Sequence, residues 1–250
     1  LSERSREVLL VTGGSRGIGA AIVREAAARG HSVCFSYLRD ERAAAALLDE
    51  VGATGVGVHA VRGDVADTGF AARLFDEAQQ ALGPVGLLVN NAGITGRHGP
   101  FVDLPIELMR RTVDVNLTGT LMMAQEAVRR WQASGTPGRI VNVSSIAATL
   151  GSPGEYVHYA ATKAAIDALT IGLGKEVAAL GIRVNAVAPG TVHTEIHAAG
   201  GVPDRPARVA GRVPMGRVAE PEEIADVVLW LLSDEASYVT ATVVRAAGGL

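Results

Sequence analysis

The sequence predicts an α/β fold built on one doubly wound parallel sheet of about seven strands, with helices on both faces. Two observations carry this. Short aliphatic runs alternate with helix-period stretches along the whole chain. A glycine-rich turn directly follows the first run and opens a helix. The composition agrees: 48% hydrophobic residues and 30 glycines but only 4% aromatics, which suits close packing of helices on a sheet.

In order, Val8–Val11 reads as a strand buried on both faces. Residues 20–29 have helical spacing, with Gly30 as the stop. A second strand is expected over 31–37, an Ala- and Leu-rich helix over 40–51 and a third strand over 56–61, ending at Gly63-Asp64-Val65. Phe70–Leu82 is helical and stops at Gly83-Pro84. A fourth strand, 85–89, runs into Asn90-Asn91-Ala92-Gly93. One long helix is expected over 105–132, a fifth strand at Arg139–Val143, a helix over 156–180 ended by Gly181, and a sixth strand over 182–187 before Pro189-Gly190. Residues 191–217 hold Gly, Pro and charge with poor periodicity and read as a mobile loop with a short helix. A helix over 220–232 starts with Pro221 in its first turn, and 242–245 is the last strand. No linker, repeat or low-complexity segment breaks the pattern, so a single domain over 1–250 is expected, with its substrate loop around 191–217.

A chain of 250 residues can bury a sizeable core. The formal charge of -3 gives no basis for a nucleic-acid or anionic-membrane partner. Cys34 is the only cysteine, which excludes an intrachain disulfide and a cysteine metal cage. That cysteine usage fits a reducing, cytoplasmic location. No apolar run reaches the ~18 residues of a membrane span. The polar lead-in over residues 1–7 and the short run after it do not read as a secretory leader.

The turn Thr12-Gly-Gly-Ser-Arg-Gly-Ile-Gly19 puts Gly13, Gly17 and Gly19 where side chains would keep a phosphate from backbone N–H groups at a helix start. Dinucleotide binding is the expectation. The end of the second strand selects the dinucleotide. An acidic residue there would hold the ribose 2′-hydroxyl of NAD. The chain instead has Tyr37 and Arg39, with Arg16 in the glycine turn; two guanidinium groups and no carboxylate suit the 2′-phosphate of NADP. Asp64 is either an acceptor for the adenine amino group, with Val65 against the ring, or a turn aspartate. Asn90 and Asn91 either tie strand ends together or line the cleft, and Pro189-Gly190 lies at the same sheet edge, suited to nicotinamide contacts.

Tyr159 and Lys163, four apart on a predicted helix, share one face. The ammonium favours phenolate, so the tyrosine is expected to fall from about 10 toward working pH and to exchange a proton at a carbon–oxygen centre.

With these motifs in this order, the chain resembles the classical short-chain dehydrogenases/reductases over nearly its whole length, by Thr12–Gly19, Asp64-Val65, Asn90-Asn91-Ala92-Gly93, Asn116, Ser145, Tyr159-x-x-x-Lys163 and Pro189-Gly190. The resemblance implies a Rossmann-type fold, a catalytic tetrad of Asn116, Ser145, Tyr159 and Lys163, and usually a homotetramer. In it Ser145 hydrogen-bonds the substrate oxygen and Tyr159 gives or takes its proton. Lys163 binds the nicotinamide ribose, and Asn116 positions a relay water. It also implies cofactor contacts from Ser15, Ile18, Asn91, Ala92, Gly93, Val192 and Thr194. Alignment at Val143-Ser-Ser favours Ser145 over Ser144, with one residue more than the common spacing taken up before Tyr156. Two departures stand near the C-terminus: Ala241, where glycine is frequent, and Arg245-Ala246-Ala247, where an Asp-Gly pair is frequent.

The expected activity is NADP(H)-dependent interconversion of a small carbonyl and its secondary alcohol. Leu150-Gly-Ser-Pro-Gly-Glu-Tyr156 looks like a glucose dehydrogenase-like subgroup. Reduction of 3-oxoacyl thioesters on acyl carrier protein is an alternative, with Arg129 and Arg130 as docking candidates; a non-catalytic NADPH sensor is another. His193 and His197 flank Glu195, but the order is not that of a zinc motif, so no metal is expected. Tyr156 and His158 border the substrate or are merely buried; Met122, Met123, Trp131 and Trp230 read as packing residues.

Overall fold

A computed structural model describes residues 7–250, so the polar lead-in at 1–6 lies outside the described residues. Seven strands form one parallel sheet: β1 (Val8–Val11), β2 (Val33–Tyr37), β3 (Val58–Arg62), β4 (Val85–Asn90), β5 (Arg139–Val143), β6 (Arg183–Pro189) and β7 (Val243–Ala246). Their order across the sheet is β3-β2-β1-β4-β5-β6-β7. The chain therefore reverses its direction of travel between β1 and β4, and a crevice opens at the carboxyl edge there.

The period of two along each strand divides the core. Leu9, Val11, Val33 and Phe35 face a layer made by α1 (Gly17–Ala28), α2 (Glu41–Gly52) and, from the far end of the chain, Val228 and Leu231. Leu10, Cys34, Leu88 and Ile140 face the other way, against Leu74 and Phe75 of α3 (Phe70–Leu82) and against Met123 and Trp131. Trp131 also donates its indole N–H to the Val85 carbonyl at 2.7 Å. Both sheet faces are thus covered, as the aliphatic strand runs require.

The long helix expected over 105–132 is interrupted. It runs as α4 (Ile106–Val113), a π-helical turn at Asp114–Thr118, and α5 (Gly119–Ser134). Hydrophobic spacing could not register the widened turn, because Val115 and Asn116 are buried between exposed Asp114 and Thr118, as in a plain amphipathic helix. A short helix α6 (Ala147–Leu150) follows β5, and α7 (Val157–Val177) carries the Tyr–Lys pair. The irregular segment holds two short helices, α8 (Ile196–Ala199) and α9 (Arg205–Ala210), rather than one. Finally α10 (Pro221–Leu232) begins with the expected proline and a capping box between Glu220 and Glu223. Met123 and Trp131 are core residues, whereas Trp230 is 38% exposed and lies outside it.

Candidate active site

A cavity of about 820 Å³ lies over the carboxyl ends of β1, β4, β5 and β6. At one end the glycine turn forms its floor. Gly17 adopts φ +51°, a left-handed conformation that favours glycine. No side chain caps the first turn of α1, so its backbone N–H groups face the cavity beside Gly13, Ser15, Arg16 and Ile18. Gly19 is not on the wall. A Cβ there would meet the Gly13 carbonyl at 2.2 Å, so it serves the packing of helix on turn. This cradle and the cavity's size fit a dinucleotide.

The end of β2 corrects one expectation. Tyr37 and Arg39 line the cavity, but so does a carboxylate, Asp40, whose Oδ2 is 4.0 Å from Arg16 Nη1. Asp40 is drawn there by capping α2, where its Oδ1 accepts from the Ala43 N–H at 3.0 Å. Asp64, after β3, accepts from the Ala66 N–H at 3.0 Å and is ion-paired with Arg111 of α4. It is a turn residue that also lines the cavity, next to Val65. Asn91 does both of the things open to it. Its Nδ2 donates to the Thr12 and Gly13 carbonyls at 3.0 and 2.9 Å, tying β4 to β1, and with Ala92 and Gly93 it lines the wall. Pro189, Gly190, Val192 and Thr194 complete this side.

In the middle of the cavity α7 presents Tyr159 and Lys163, both buried at 8% and 4% exposure. Ser145, just after β5, stands beside the Tyr159 hydroxyl and favours its ionised form, and its own Oγ accepts from the Ala147 N–H at 3.1 Å. Ser144 points elsewhere: its hydroxyl donates to Asp167 and lies 3.3 Å from the Lys163 carbonyl. Both serines line the cavity, Ser145 beside the Tyr159 hydroxyl and Ser144 turned to Asp167.

Lys163 Nζ donates to the Val143 carbonyl at 2.6 Å and stands 5.6 Å from the Tyr159 ring centre. Asn116, in the π-helical turn, sits behind the wall. It bridges Ile94, accepting from its N–H at 2.8 Å and donating to its carbonyl at 2.9 Å, and donates to Thr162 at 3.1 Å. A Cβ on Gly93 would be 3.5 Å from Asn116 Oδ1 and 3.6 Å from Lys163 Nζ, so the three converge.

The electrostatics correct a second expectation. Tyr159 is not held below the usual phenol range. Burial pushes it well above, and the neighbouring Ser145 side chain opposes this. Burial also lowers Lys163 to about 8, with Asp167 acting against it. The ammonium, aimed at Val143, does not override the desolvation that both side chains share.

The comparisons agree with this geometry. A family model described as Enoyl-(Acyl carrier protein) reductase matches residues 13–250. The chain is 45% identical over 244 residues to the uncharacterized oxidoreductase YgfF of Escherichia coli (strain K12), covering 97% of this chain and 99% of that one. The chain belongs to the short-chain dehydrogenase/reductase family. It is 39% identical to an L-rhamnose 1-dehydrogenase (NAD(P)(+)) of Sphingomonas sp. (strain SKA58), over 98% of this chain and 96% of the other. Among solved structures, a blue fluorescent protein from a metagenomic library in complex with NADPH superposes with a TM-score of 0.88 at 35% identity, covering 97% of both chains. This short-chain dehydrogenase/reductase is an oxidoreductase that interconverts carbonyl and alcohol with a nicotinamide cofactor.

Sequence reasoning missed Asp40, Arg111 and Asp167, and also the pair Glu155 and Arg205, which line the substrate end of the cavity. Only Asp40, directly before an apolar-periodic run, left a signal, that of a helix N-cap. His193 and His197 do not converge: His197 bonds the Val192 carbonyl through Nε2 at 3.0 Å, while His193 lies 3.8 Å from Glu220. His158 bonds the Thr95 carbonyl through Nε2 at 2.8 Å. Arg129 and Arg130 are both paired with Glu126, and Arg130 also with Asp76. Among the described residues, no helix is long and apolar enough to cross a membrane.

Proposed function

We propose that this oxidoreductase uses NADP(H), acts on a small carbonyl compound or its secondary alcohol, and employs Tyr159 as the general acid/base, working as a cytoplasmic homotetramer. The observation that carries the reading is the Ser145 hydroxyl against the Tyr159 hydroxyl, with Lys163 buried beside them in one wall. Ser145 donates to the substrate oxygen and orients it. Tyr159 delivers the proton to that oxygen in reduction and removes it in oxidation. Lys163 holds the nicotinamide ribose, and Asn116 helps return protons to Lys163 from solvent. When bound, the nicotinamide supplies or accepts the hydride. Because burial favours the neutral phenol, Tyr159 is well suited to being the protonated acid of the reductive direction.

For Tyr159→Phe the expected outcome is a loss of turnover of roughly 10²–10⁴-fold with NADPH binding retained, measured by NADPH absorbance and by fluorescence titration. Substantial residual turnover would remove Tyr159 from the proton-transfer role. The assay panel should hold aldoses, cyclic ketones and 3-oxoacyl thioesters, with aldoses first because of the similarity to a rhamnose dehydrogenase. Binding without any NADPH oxidation across the panel would favour a sensor.

The preference for NADP rests on Arg16 of the glycine turn and Arg39 just after β2. Since Asp40 stands by Arg16, Arg39 is the stronger candidate for the 2′-phosphate. Arg39→Ala is expected to weaken NADPH binding by about ten- to a hundredfold while NADH changes little. Equal losses for the two would reverse the assignment.

A further inference from the structure

Glu155 and Arg205 have no part in the mechanism above, yet they form an ion pair in the cavity wall at its substrate end. Glu155 directly precedes Tyr156, whose ring meets the Tyr159 ring edge-on at 5.3 Å. The Glu155 backbone is fixed: its N–H donates to the Ser152 carbonyl at 3.2 Å and its carbonyl accepts from the Gly99 N–H at 2.8 Å. The Arg205 side chain, on the short helix α9, is 12% exposed. It donates to Glu155 Oε2 from Nη2 at 2.8 Å and from Nε at 3.3 Å, and to Thr191 Oγ1 from Nη1 at 3.1 Å. Its guanidinium carbon lies 5.2 Å from the centre of the Tyr156 ring.

The pair is held firmly but not saturated. Both bonds from Arg205 fall on Oε2 of Glu155. Among the described residues Oε1 accepts no hydrogen bond, and Arg208 Nη2 stands 3.8 Å away. A carboxylate accepts and does not donate, so Oε1 needs a donor; the N–H bonds still unused on Arg205 need an acceptor. A hydroxyl answers both. An apolar body filling this end would strip water from a charged pair and return nothing. An anion would face the Glu155 carboxylate, which already offsets Arg205.

We propose that the Glu155–Arg205 pair selects a polyhydroxylated substrate, a sugar or polyol, by binding hydroxyls on carbons beyond the reacting one. The proposal rests on Tyr159 marking the reacting end of the cavity. The Tyr156 ring stands between Tyr159 and the guanidinium and sets the spacing between the reacting carbon and the hydroxyls that are read.

The test compares, with NADP as oxidant, a panel of aldohexoses and 6-deoxyhexoses with 2-hydroxytetrahydropyran, the same ring without its other hydroxyls. The preferred sugar is expected to exceed the bare ring by about a hundredfold in kcat/KM. Glu155→Gln keeps the shape of the side chain and is expected to lower that ratio about tenfold, chiefly through KM for the sugar, while the bare ring changes less than about threefold. Arg205→Met should lower it further; Glu155→Gln reads the same contact if Arg205→Met does not fold. Sugar binding to the NADP-loaded protein, followed by calorimetry, needs no turnover. It should weaken about tenfold in Glu155→Gln whatever Tyr159→Phe does, so failure here is distinct from failure of the proton-transfer role. A parent that prefers the bare ring or a 3-oxo acid, a panel in which no sugar binds, or equal losses on both substrates in Glu155→Gln would overturn the proposal.

Discussion

Lys163 meets two opposing demands at the residue scale. Burial disfavours its charge, while the Val143 carbonyl at 2.6 Å and the nearby Asp167 favour it. Burial prevails and the ammonium is lowered from 10.5 to about 8. Between those values the unfolded chain still holds a proton that the native chain has released, so rising pH favours the native state across that window. Below about 8 both states hold the proton and the burial penalty is fully present. Lys163→Met cannot ionise. Relative to the parent it should be most favoured below pH 8, and its relative stability should decline toward pH 10.5. Urea unfolding of both proteins at a series of pH values measures this; a difference independent of pH would mean that the lysine is not desolvated. Ser144 supports the same residue from behind, its hydroxyl joining Asp167 to the Lys163 backbone.

Among the elements, the approach to β7 stores strain. Ala241 has φ +58°, in the left-handed region that favours glycine. Its backbone is not free to relax, because its N–H donates to the Val184 carbonyl at 2.8 Å. On its other side α7 passes so close that a Cβ on Gly174 would lie 2.8 Å from Ala241 Cα. Left-handed backbone costs an alanine about 1–2 kcal/mol that glycine does not incur. Ala241→Gly is therefore expected to stabilise the chain by about 1 kcal/mol and raise Tm by about 2–4 °C in a thermal melt. A lower Tm would mean that the methyl group packs better than its backbone suffers.

At the scale of the whole molecule, the two core layers share every central strand. Phe35 is buried on one face and Leu74 against the other. Phe35→Ala should cost about 3–5 kcal/mol and Leu74→Ala about 2–5 kcal/mol. Each should shift one transition, with circular dichroism and Trp131 fluorescence coinciding, since neither layer has strands of its own. Separate transitions would show that the faces melt independently. This shared sheet is also why the fold was so legible. Val8–Val11, Val33–Tyr37 and Val85–Asn90 are short, mainly apolar runs punctuated by turns. Glycine spacing and the Tyr159–Lys163 interval were legible for the same reason, being local to one turn or one helix. Arg111, Asp167 and Arg205 were not, because their partners Asp64, Ser144 and Glu155 are brought near by the fold; Asp40 left only its N-cap signal. The acidity of Tyr159 was misjudged because spacing conveys proximity but not desolvation.

The π-helical turn at Asp114–Thr118 carries a last consequence. It takes up one residue more than an α-helical turn, which in regular winding would rotate everything after it by about 100°. Removing one residue there would return the turn to α-helical winding with α5 keeping its phase and Met123 and Trp131 their place against the sheet. What would be lost is the widened turn that holds Asn116 against Ile94 and Thr162.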